Sequence, residues 1–503
     1  MRRCLTAICL TAAAVGCATA GPAALTNELL IENVIIISPE RPDPSTLTDV
    51  LLRDGKIARI GRDISDDADA SVPRIDGRGG YLTPGLIDSH THLGEIPGMN
   101  FQHEEDYPEI ARNARRQIPR SYLYHGFTTL IDLNGRPDVI AAWNRRPVRP
   151  QAYFCGAAPV FDGYPMSWMP KPARYKIMPY FLYDQSRADE FPQGVDPAAH
   201  SPKAVVAKMR ADGAICVKTH YERGFGGRGD LPVPTAELIR ALVSFAHDAD
   251  MPVLMHANAQ SAQRFGLGPG IDAFAHGMWT WDDRTATALS PDITGILDAV
   301  IEQKIATQPT VQVLYGERDL HDPDYLKNPA LRQVLPQILI DWYETEDGQW
   351  WRNRMAGIPF VAALLDEERW QELDAEPIAR VMAALSYLAE NGGALLFGSD
   401  TPSDPTYANP PGLNGRREMN NWIAAGVTAP TLFRAATIEN ARFFGLEDEI
   451  GTVEAGKRAD LLLMTENPMK SVAAYDSIVI VIVAGKAIPR PELSALNDDA
   501  NLD

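Results

Sequence analysis

The sequence contains few cysteines and no long run of basic residues. Its 503 residues include 5 cysteines, and only Cys155 and Cys216 lie beyond the first twenty residues. So few cysteines do not predict a disulfide framework, and Cys216, inside an apolar run, is predicted to be buried and inert. The formal net charge is −19. Because phosphate binding needs a positive surface, a nucleic-acid partner is not expected.

The N-terminus also lacks an apolar run long enough to span a membrane. Arg2 and Arg3 precede an apolar stretch over residues 4–16, which is typical of a signal peptide rather than a transmembrane helix. Ala18-Thr19-Ala20 fits ordinary secretion and predicts a signal peptide over residues 1–20. Alternatively, cleavage before Cys17, in a sequence that resembles a bacterial lipoprotein box, would leave a lipid anchor there. We expect export to the periplasm of a bacterium or anchoring at its outer membrane, and favour the lipoprotein.

Short β-rich segments lie at both ends of the remaining chain. The chain is 45% hydrophobic and 22% charged, which is ordinary for a soluble globular protein. The β-rich segments cover residues 29–37, 50–53, 56–60, 460–464 and 478–483. The Asp54-Gly55 pair predicts a hairpin between the second and third of them. We therefore predict a small β-sandwich domain formed from both chain ends, residues 27–83 plus 448–490.

The middle of the chain, residues 84–447, alternates apolar β segments with helical patterns. This alternation predicts an α/β fold with a parallel sheet. The candidate strands cover residues 86–88, 128–132, 151–155, 215–218, 253–256, 274–276, 306–308 and 394–400. Eight is the number of strands that closes a (β/α)8 TIM-type barrel, and the active site of such a barrel lies at the carboxyl ends of its strands.

Two histidines end the first predicted barrel strand. Residues 83–93 begin with a turn signal, continue as a short apolar strand and then reach His90 and His92. Because side chains alternate along a strand, these two histidines point the same way. Two imidazoles on one face can bind one metal ion. The short pattern alone fits two histidines at a solvated strand edge equally well.

Other residues that can bind metals also lie at the ends of predicted barrel strands. Lys218, His256, His276 and Asp400 each lie at the carboxyl end of a predicted strand. The chain has only 10 histidines, so this selective placement predicts one shared site at the mouth of the barrel.

These motifs together resemble the metal-dependent amidohydrolase superfamily. Within it, the sequence is most similar to the group of imidazolonepropionase-like amidohydrolases and metal-dependent dipeptidases. The motifs that carry the resemblance are residues 83–93, 126–132, 217–218, 253–257, 275–277, 397–400, 434–442 and 450–461. They extend over nearly the whole chain after the predicted signal peptide.

The resemblance implies a binuclear metal site. His90 and His92 would bind the first metal and His256 and His276 the second. The implied ions are two zinc ions, with manganese, cobalt or iron as alternatives. Asp400 would bind the first metal and act as general base and then acid; the alternative is a helix-capping aspartate.

Lys218 has three interpretations. The resemblance implies that it reacts with carbon dioxide to give a carbamylated lysine that bridges both metals, and burial would favour the neutral amine that reacts. Alternatively, its side chain extends to solvent or pairs with a carboxylate.

Substrate contacts are predicted in the segment after the fourth barrel strand. His220 lies two residues beyond Lys218 and contacts substrate or is an ordinary loop residue. Tyr221, Arg223 and Arg228 could bind a substrate carboxylate, or belong to a solvated loop. The insertion over residues 313–391 is tryptophan-rich and helical; it predicts a lid or an oligomer contact, and with the latter a homo-oligomer.

Three functions are compatible with the sequence. The first is a metal-dependent hydrolase of small-molecule amides or peptides, with a dipeptide or an N-acyl amino acid as substrate. The second is a mononuclear hydrolase of cyclic amides. The third is a non-catalytic scaffold on the same fold, which the complete set of candidate ligands disfavours.

Overall fold

The computed structural model describes residues 28–41, 43–62, 64, 69–171, 173–225 and 229–497. The predicted signal peptide, Cys17 and Arg228 lie outside these ranges. Inside them, every helix is too short or too polar to cross a lipid bilayer.

The strands fall into two groups. Their bounds are β1 Glu28–Ile36, β2 Thr48–Arg53, β3 Lys56–Gly61, β4 Arg74–Asp76, β5 Tyr81–Pro84, β6 Leu86–Thr91, β7 Phe127–Asp132, β8 Gln151–Ala158, β9 Cys216–His220, β10 Val253–His256, β11 Ala273–Ala275, β12 Ala306–Gln308, β13 Leu461–Met464, β14 Ile478–Val483 and β15 Lys486–Pro489. Strands β1–β5 and β13–β15 pair with one another, and β6–β12 form the second group.

The helices surround the second group of strands. Their bounds are α1 Phe101–Asp106, α2 Pro108–Tyr124, α3 Pro137–Asn144, α4 Ala173–Ile177, α5 Pro202–Ala211, α6 Ala236–His247, α7 Gln260–Gly266, α8 Pro291–Glu302, α9 Val311–Asp319, α10 Leu331–Val334, α11 Gln337–Tyr343, α12 Trp350–Ala356, α13 Pro359–Asp366, α14 Ala375–Glu390, α15 Leu413–Ala424, α16 Ala429–Arg434 and α17 Asn440–Phe443. A π-helical turn, Ala435–Glu439, joins the last two.

Strands from both chain ends share one core, as the sequence predicts. The order of strands is β15-β14-β13-β5-β1-β2-β3, with β4 paired to β1. Asp54 and Gly55 join β2 to β3 with φ values of 50° and 78°, which suits the tight hairpin that an Asp-Gly pair favours. Buried Ile36 and Val50 from the first end pack in one cluster with Leu463 from the other.

Strands β6–β12 form a nearly closed parallel barrel. Each strand pairs with its neighbour in chain order, and most of the strand residues are buried because helices cover the outside. The predicted TIM-type barrel is confirmed. Register pairs such as His256 with His220 place the carboxyl ends of neighbouring strands at one level.

The eighth barrel position is an extended segment without regular strand geometry. Thr307 on β12 donates to Ala394 at 2.9 Å, and the Ser89 amide on β6 donates to Phe397 at 3.1 Å. The segment therefore lies between β12 and β6. The segment occupies the predicted eighth position, but among residues 394–400 only Leu395 forms a bridge, to Thr307, and Asp400 has a left-handed backbone with φ 54°. The prediction of a regular strand over residues 394–400 was therefore wrong.

A disulfide joins two neighbouring barrel strands. Cys155 on β8 and Cys216 on β9 are register partners with Cα atoms 4.4 Å apart, and their sulfurs are bonded. Both are fully buried in the apolar interior of the barrel. The prediction that Cys216 is buried is right, but the sequence did not indicate the bond. The two cysteines are 61 positions apart in the sequence, and they become neighbours only through the pairing of β8 with β9.

The predicted insertion contains helices that contact the loop after β6. The Tyr343 hydroxyl donates to the Pro97 carbonyl at 2.6 Å, and the Trp350 indole donates to the Gly98 carbonyl at 2.9 Å. Trp342 and Tyr343 are buried. These contacts place α11 and α12 beside the segment that follows His92; a role as lid or oligomer contact stays a prediction.

Candidate active site

Asp400 contacts three of the predicted metal ligands. Its Oδ1 lies 3.2 Å from His90 Nε2 and 2.9 Å from His92 Nε2, and its Oδ2 lies 3.7 Å from His276 Nδ1. His90, His92 and Asp400 each offer a ligand atom, and these atoms lie within 4.8 Å of one another. The left-handed backbone of Asp400 turns this carboxylate toward the two histidines that β6 delivers.

His256 and His276 lie side by side at the ends of β10 and β11. Their ring centroids are 4.5 Å apart, and the His276 ring lies 5.0 Å from that of His90. Nδ1 of His276 and the hydroxyl oxygen of Thr310 are 2.9 Å apart and share a hydrogen bond. This bond orients the imidazole, as a metal-binding histidine requires.

Lys218 and His220 extend from the same face of β9 toward this cluster. Both are buried, and within the described residues Lys218 forms no ion pair. Burial lowers the pKa of Lys218 to about 7, against the opposing effect of the Asp400 carboxylate. A substantial fraction of its amine is therefore neutral near pH 7. The His220 ring lies 5.9 Å from that of His256.

Burial keeps most of the clustered imidazoles neutral. It lowers the pKa values of His90, His220 and His276 well below the ordinary value, with the Lys218 charge acting in the same direction. His92 differs: burial lowers its pKa, but the hydrogen bond and charge of Asp400 outweigh burial and raise it to about 9. The neutral imidazole is the form that binds metals.

Two further carboxylates, which the sequence analysis did not single out, support this cluster. Asp132 at the end of β7 accepts hydrogen bonds from the Leu93 and Asn134 amides, both at 2.9 Å, and its Oδ1 lies 3.9 Å from His92 Nδ1. Glu222 is buried, with Oε2 3.5 Å from His256 Nε2. Both could have been predicted from their positions, because active-site residues lie at the carboxyl ends of barrel strands. Asp132 ends β7, and Glu222 lies two residues beyond His220, the last residue of β9.

The predicted substrate contacts lie at the edge of the cluster. The Tyr221 ring packs against Phe265 of α7 at 4.4 Å, and the exposed Arg223 guanidinium lies 5.9 Å from the Tyr221 ring. Both line a cavity of about 390 Å³ that Glu222 and Trp279 also line. Trp279 in turn contacts the His276 ring at 5.0 Å, so the cavity adjoins the histidine cluster.

Two family models, each described as the amidohydrolase family, match this chain. One covers residues 81–265 and the other residues 352–489. The first range contains His90, His92, Lys218 and His256, and the second contains Asp400. An allantoinase of Escherichia coli O1:K1 / APEC is 33% identical over 106 residues, which cover 21% of this chain and 19% of the relative.

Two other similarities extend this finding. An imidazolonepropionase of Shewanella pealeana is 42% identical over 91 residues, which cover 16% of this chain and 22% of the relative. The chain thus spans about a fifth of the length of both relatives. A solved structure of a Xaa-Pro dipeptidase with methionine in its active site superposes with a TM-score of 0.61 and 20% identity, covering 92% of this chain and 100% of that one. That superposition shows the fold.

The chain belongs to the metal-dependent amidohydrolase superfamily.

The superfamily implies a divalent metal, and the residues present fit one. Imidazole nitrogens and a carboxylate are suitable ligands for zinc and related ions. His90, His92 and Asp400 supply such a set in one place. Within the described part of the chain, the buried Nδ1 atoms of His90 and His220 make no hydrogen bond, which leaves polar atoms inside the site open to a further partner.

Proposed function

We propose that this protein is a metal-dependent hydrolase of amide or peptide bonds, with a dipeptide or an N-acyl amino acid as substrate. The observation that carries the proposal is the contact of Asp400 with both His90 and His92 at the mouth of the barrel. A carboxylate beside two imidazoles there combines metal ligands with a proton acceptor.

We propose that His90, His92 and Asp400 hold one divalent ion, and Lys218, His256 and His276 a second. Bound metal lowers the pKa of water and polarises the substrate carbonyl. Carbamylation of Lys218 would supply an anionic oxygen ligand to both ions. The buried position of Lys218 and its lowered pKa support this role.

Asp400 is the proposed general base and acid. It would take a proton from the attacking water while the water oxygen bonds to the carbonyl carbon. It would then deliver that proton to the amide nitrogen as the carbon–nitrogen bond breaks. The 2.9 Å distance between Asp400 Oδ1 and His92 Nε2 puts both ligand atoms within reach of one ion.

The substrate would lie along the cavity beside Glu222 and Trp279. Arg223 is exposed at its edge, where a guanidinium can bind a substrate carboxylate by paired hydrogen bonds. His220, buried beside His256, is the proposed contact nearest to the scissile bond.

We propose that the protein is exported and acts on a substrate supplied from outside the cytoplasm. The Cys155–Cys216 disulfide favours an oxidising compartment such as the periplasm. The apolar N-terminal run agrees with this, and Cys17 is the proposed lipid anchor.

The first test combines metal content with turnover. We expect about two divalent ions per chain after purification with zinc, and hydrolysis of dipeptides that stops when a chelator removes the metal. The variant Asp400→Asn should retain at least one ion and lose nearly all turnover, whereas Asp448→Asn, at an exposed position, should match the wild type. Full activity of Asp400→Asn would contradict the proposal.

A mononuclear hydrolase of cyclic amides is the second candidate. It is favoured by one observation: within the described residues, only His90, His92 and Asp400 form a compact group of three acidic, cysteine or histidine ligands. One ion per chain, and hydrolysis of a cyclic amide such as dihydrouracil without hydrolysis of dipeptides, would favour it. The variant Lys218→Ala separates the two candidates. If a carbamylated Lys218 bridges two ions, the variant should lose one ion per chain, and a short carboxylic acid should restore it. A mononuclear enzyme should show neither change.

A further inference from the structure

Three aromatic side chains meet at the mouth of the barrel. Tyr164 and Trp168 come from the segment after β8, and Phe225 from the segment after β9. The ring centroids are 5.5 Å apart for Tyr164 and Trp168, 5.3 Å for Tyr164 and Phe225, and 5.8 Å for Trp168 and Phe225, all edge-to-face. The aromatic wall, as we call these three residues, is therefore held together by favourable ring contacts between two separate segments.

The aromatic wall begins at the proposed metal ligands. The Tyr164 ring lies 4.7 Å from that of His256 and 5.8 Å from that of His220. Phe225 also approaches His256, at 6.4 Å. A group bound against the wall would thus lie beside histidines of the proposed catalytic site.

The outer part of the wall is open to solvent. Trp168 is 51% exposed and Phe225 is 40% exposed. Two large exposed rings in mutual contact form an apolar patch, and such a patch beside a catalytic site is typical of a ligand-binding surface. The contacts within the wall leave the outer edges of both rings available.

Charged and aromatic groups together line the adjoining cavity. Phe225 borders the cavity of about 390 Å³ together with Glu222, Arg223 and Trp279. Glu222 is held by the Gly224 amide, which donates to its Oε1 at 2.6 Å. The cavity therefore combines apolar rings with charged groups, a lining that suits a substrate with an aromatic group and a separate charged group.

We propose that the aromatic wall selects amide substrates with an aromatic side chain beside the scissile bond. This inference rests on the proposed amide hydrolysis and names the substrate class of that site. Tyr164 and Phe225 would stack on the substrate ring, and Trp168 would cover its outer face. An alanine-sized group would leave the wall in contact with water.

The test compares matched dipeptides on the zinc-loaded protein. We expect kcat/KM for Phe-Ala or Ala-Phe to exceed that for Ala-Ala by at least about tenfold, the usual effect of one large apolar group in a pocket. In the double variant Trp168→Ala/Phe225→Ala this ratio should fall to within about twofold of one, because the apolar contact is removed. Phe360→Ala, which removes a 61% exposed ring on α13, is the matched control and should keep the ratio.

The outcomes separate this inference from the proposed function. Hydrolysis of all three dipeptides at similar rates, or an unchanged ratio in the double variant, would overturn the aromatic preference and leave amide hydrolysis intact. Hydrolysis of none would count against the proposed function.

A binding measurement then decides the inference without turnover. By calorimetry, phenylalanine should bind the zinc-loaded wild type at least about tenfold more tightly than alanine, and the double variant should lose this difference. Equal affinity, or no binding of phenylalanine, would overturn the proposal. Melting temperatures establish that each variant is folded, and the single variant Trp168→Ala replaces the double variant if the latter is not.

Discussion

Asp88 and Ser399 connect the first barrel strand to the segment that closes the barrel. The Asp88 carboxylate accepts a hydrogen bond from the Ser399 amide at 2.9 Å and another from the Ser399 hydroxyl at 2.5 Å. His90 lies two residues after Asp88, and Asp400 directly follows Ser399. This buried pair therefore sets the distance between two proposed metal ligands that are far apart in the sequence.

Removal of the Ser399 hydroxyl should weaken metal binding. Ser399→Ala deletes one of the two hydrogen bonds to Asp88, and we expect about a tenfold loss of zinc affinity, as for other supports of ligand residues. Competition with a chelator measures it. Ser244→Ala, at an exposed position on α6, is the control; equal affinities for the two variants would show that the Asp88 contact does not position the ligands.

Asp132 should orient His92 for metal binding. Its Oδ1 lies 3.9 Å from His92 Nδ1 while amides of the following loop hold the carboxylate. Asp132→Asn removes the charge, so we expect zinc affinity to fall by about tenfold or more. The exposed Asp138 provides the control Asp138→Asn. A change in both variants would indicate a general charge effect rather than orientation.

The disulfide should stabilise the barrel. It closes a loop of 61 residues, and the chain-entropy model assigns such a loop on the order of 4 kcal/mol. We expect a reductant to lower the melting temperature of the wild type. The double variant Cys155→Ala/Cys216→Ala should melt at a lower temperature with or without reductant. A wild-type melting temperature unaffected by complete reduction, verified by thiol titration, would refute this role.

Glu418 should make stability depend on pH. Burial raises its pKa to about 7, despite hydrogen bonds from the Gln312 amide, the Trp422 indole and the Val311 amide. The folded-state pKa exceeds the ordinary 4.5, so folding favours the protonated form of Glu418. Its contribution to the free energy of unfolding is therefore fully present below about pH 4.5 and is lost as pH rises through about 7.

The pH effect can be measured with a variant that does not titrate. In Glu418→Gln the fall in unfolding free energy between pH 5 and pH 8 should be smaller than in the wild type. The exposed Glu376 provides the control Glu376→Gln, which should keep the wild-type fall. Identical falls in all three proteins would show that Glu418 does not cause the dependence.

Local sequence patterns predicted the architecture because each pattern acts through neighbouring residues. Asp54-Gly55 marks a hairpin since both residues tolerate positive φ, and the structure has that hairpin between β2 and β3. The alternation of apolar strands and helices predicted the parallel barrel. The positions of His90 and His256 near the carboxyl ends of β6 and β10 followed from the same pattern, whereas Lys218 lies two residues before the end of β9.

Other features depend on contacts that no local pattern encodes. The partner of Cys155 is set by the register of β8 on β9, which forms only when the barrel closes. Likewise, Tyr164 and Phe225 of the aromatic wall come from two different loops, and neither loop's sequence predicts a contact with the other.

The sequence by itself determined the barrel, the domain built from both chain ends and the types of residue at the strand ends, because strand and helix periodicities are local. Only the tertiary structure decided how these residues meet. The left-handed backbone of Asp400 and its support by Asp88 through Ser399 bring one carboxylate against two imidazoles. This arrangement requires β6 to pack against the segment that closes the barrel. That packing brings His92 and Asp400 together although they are 308 positions apart in the sequence.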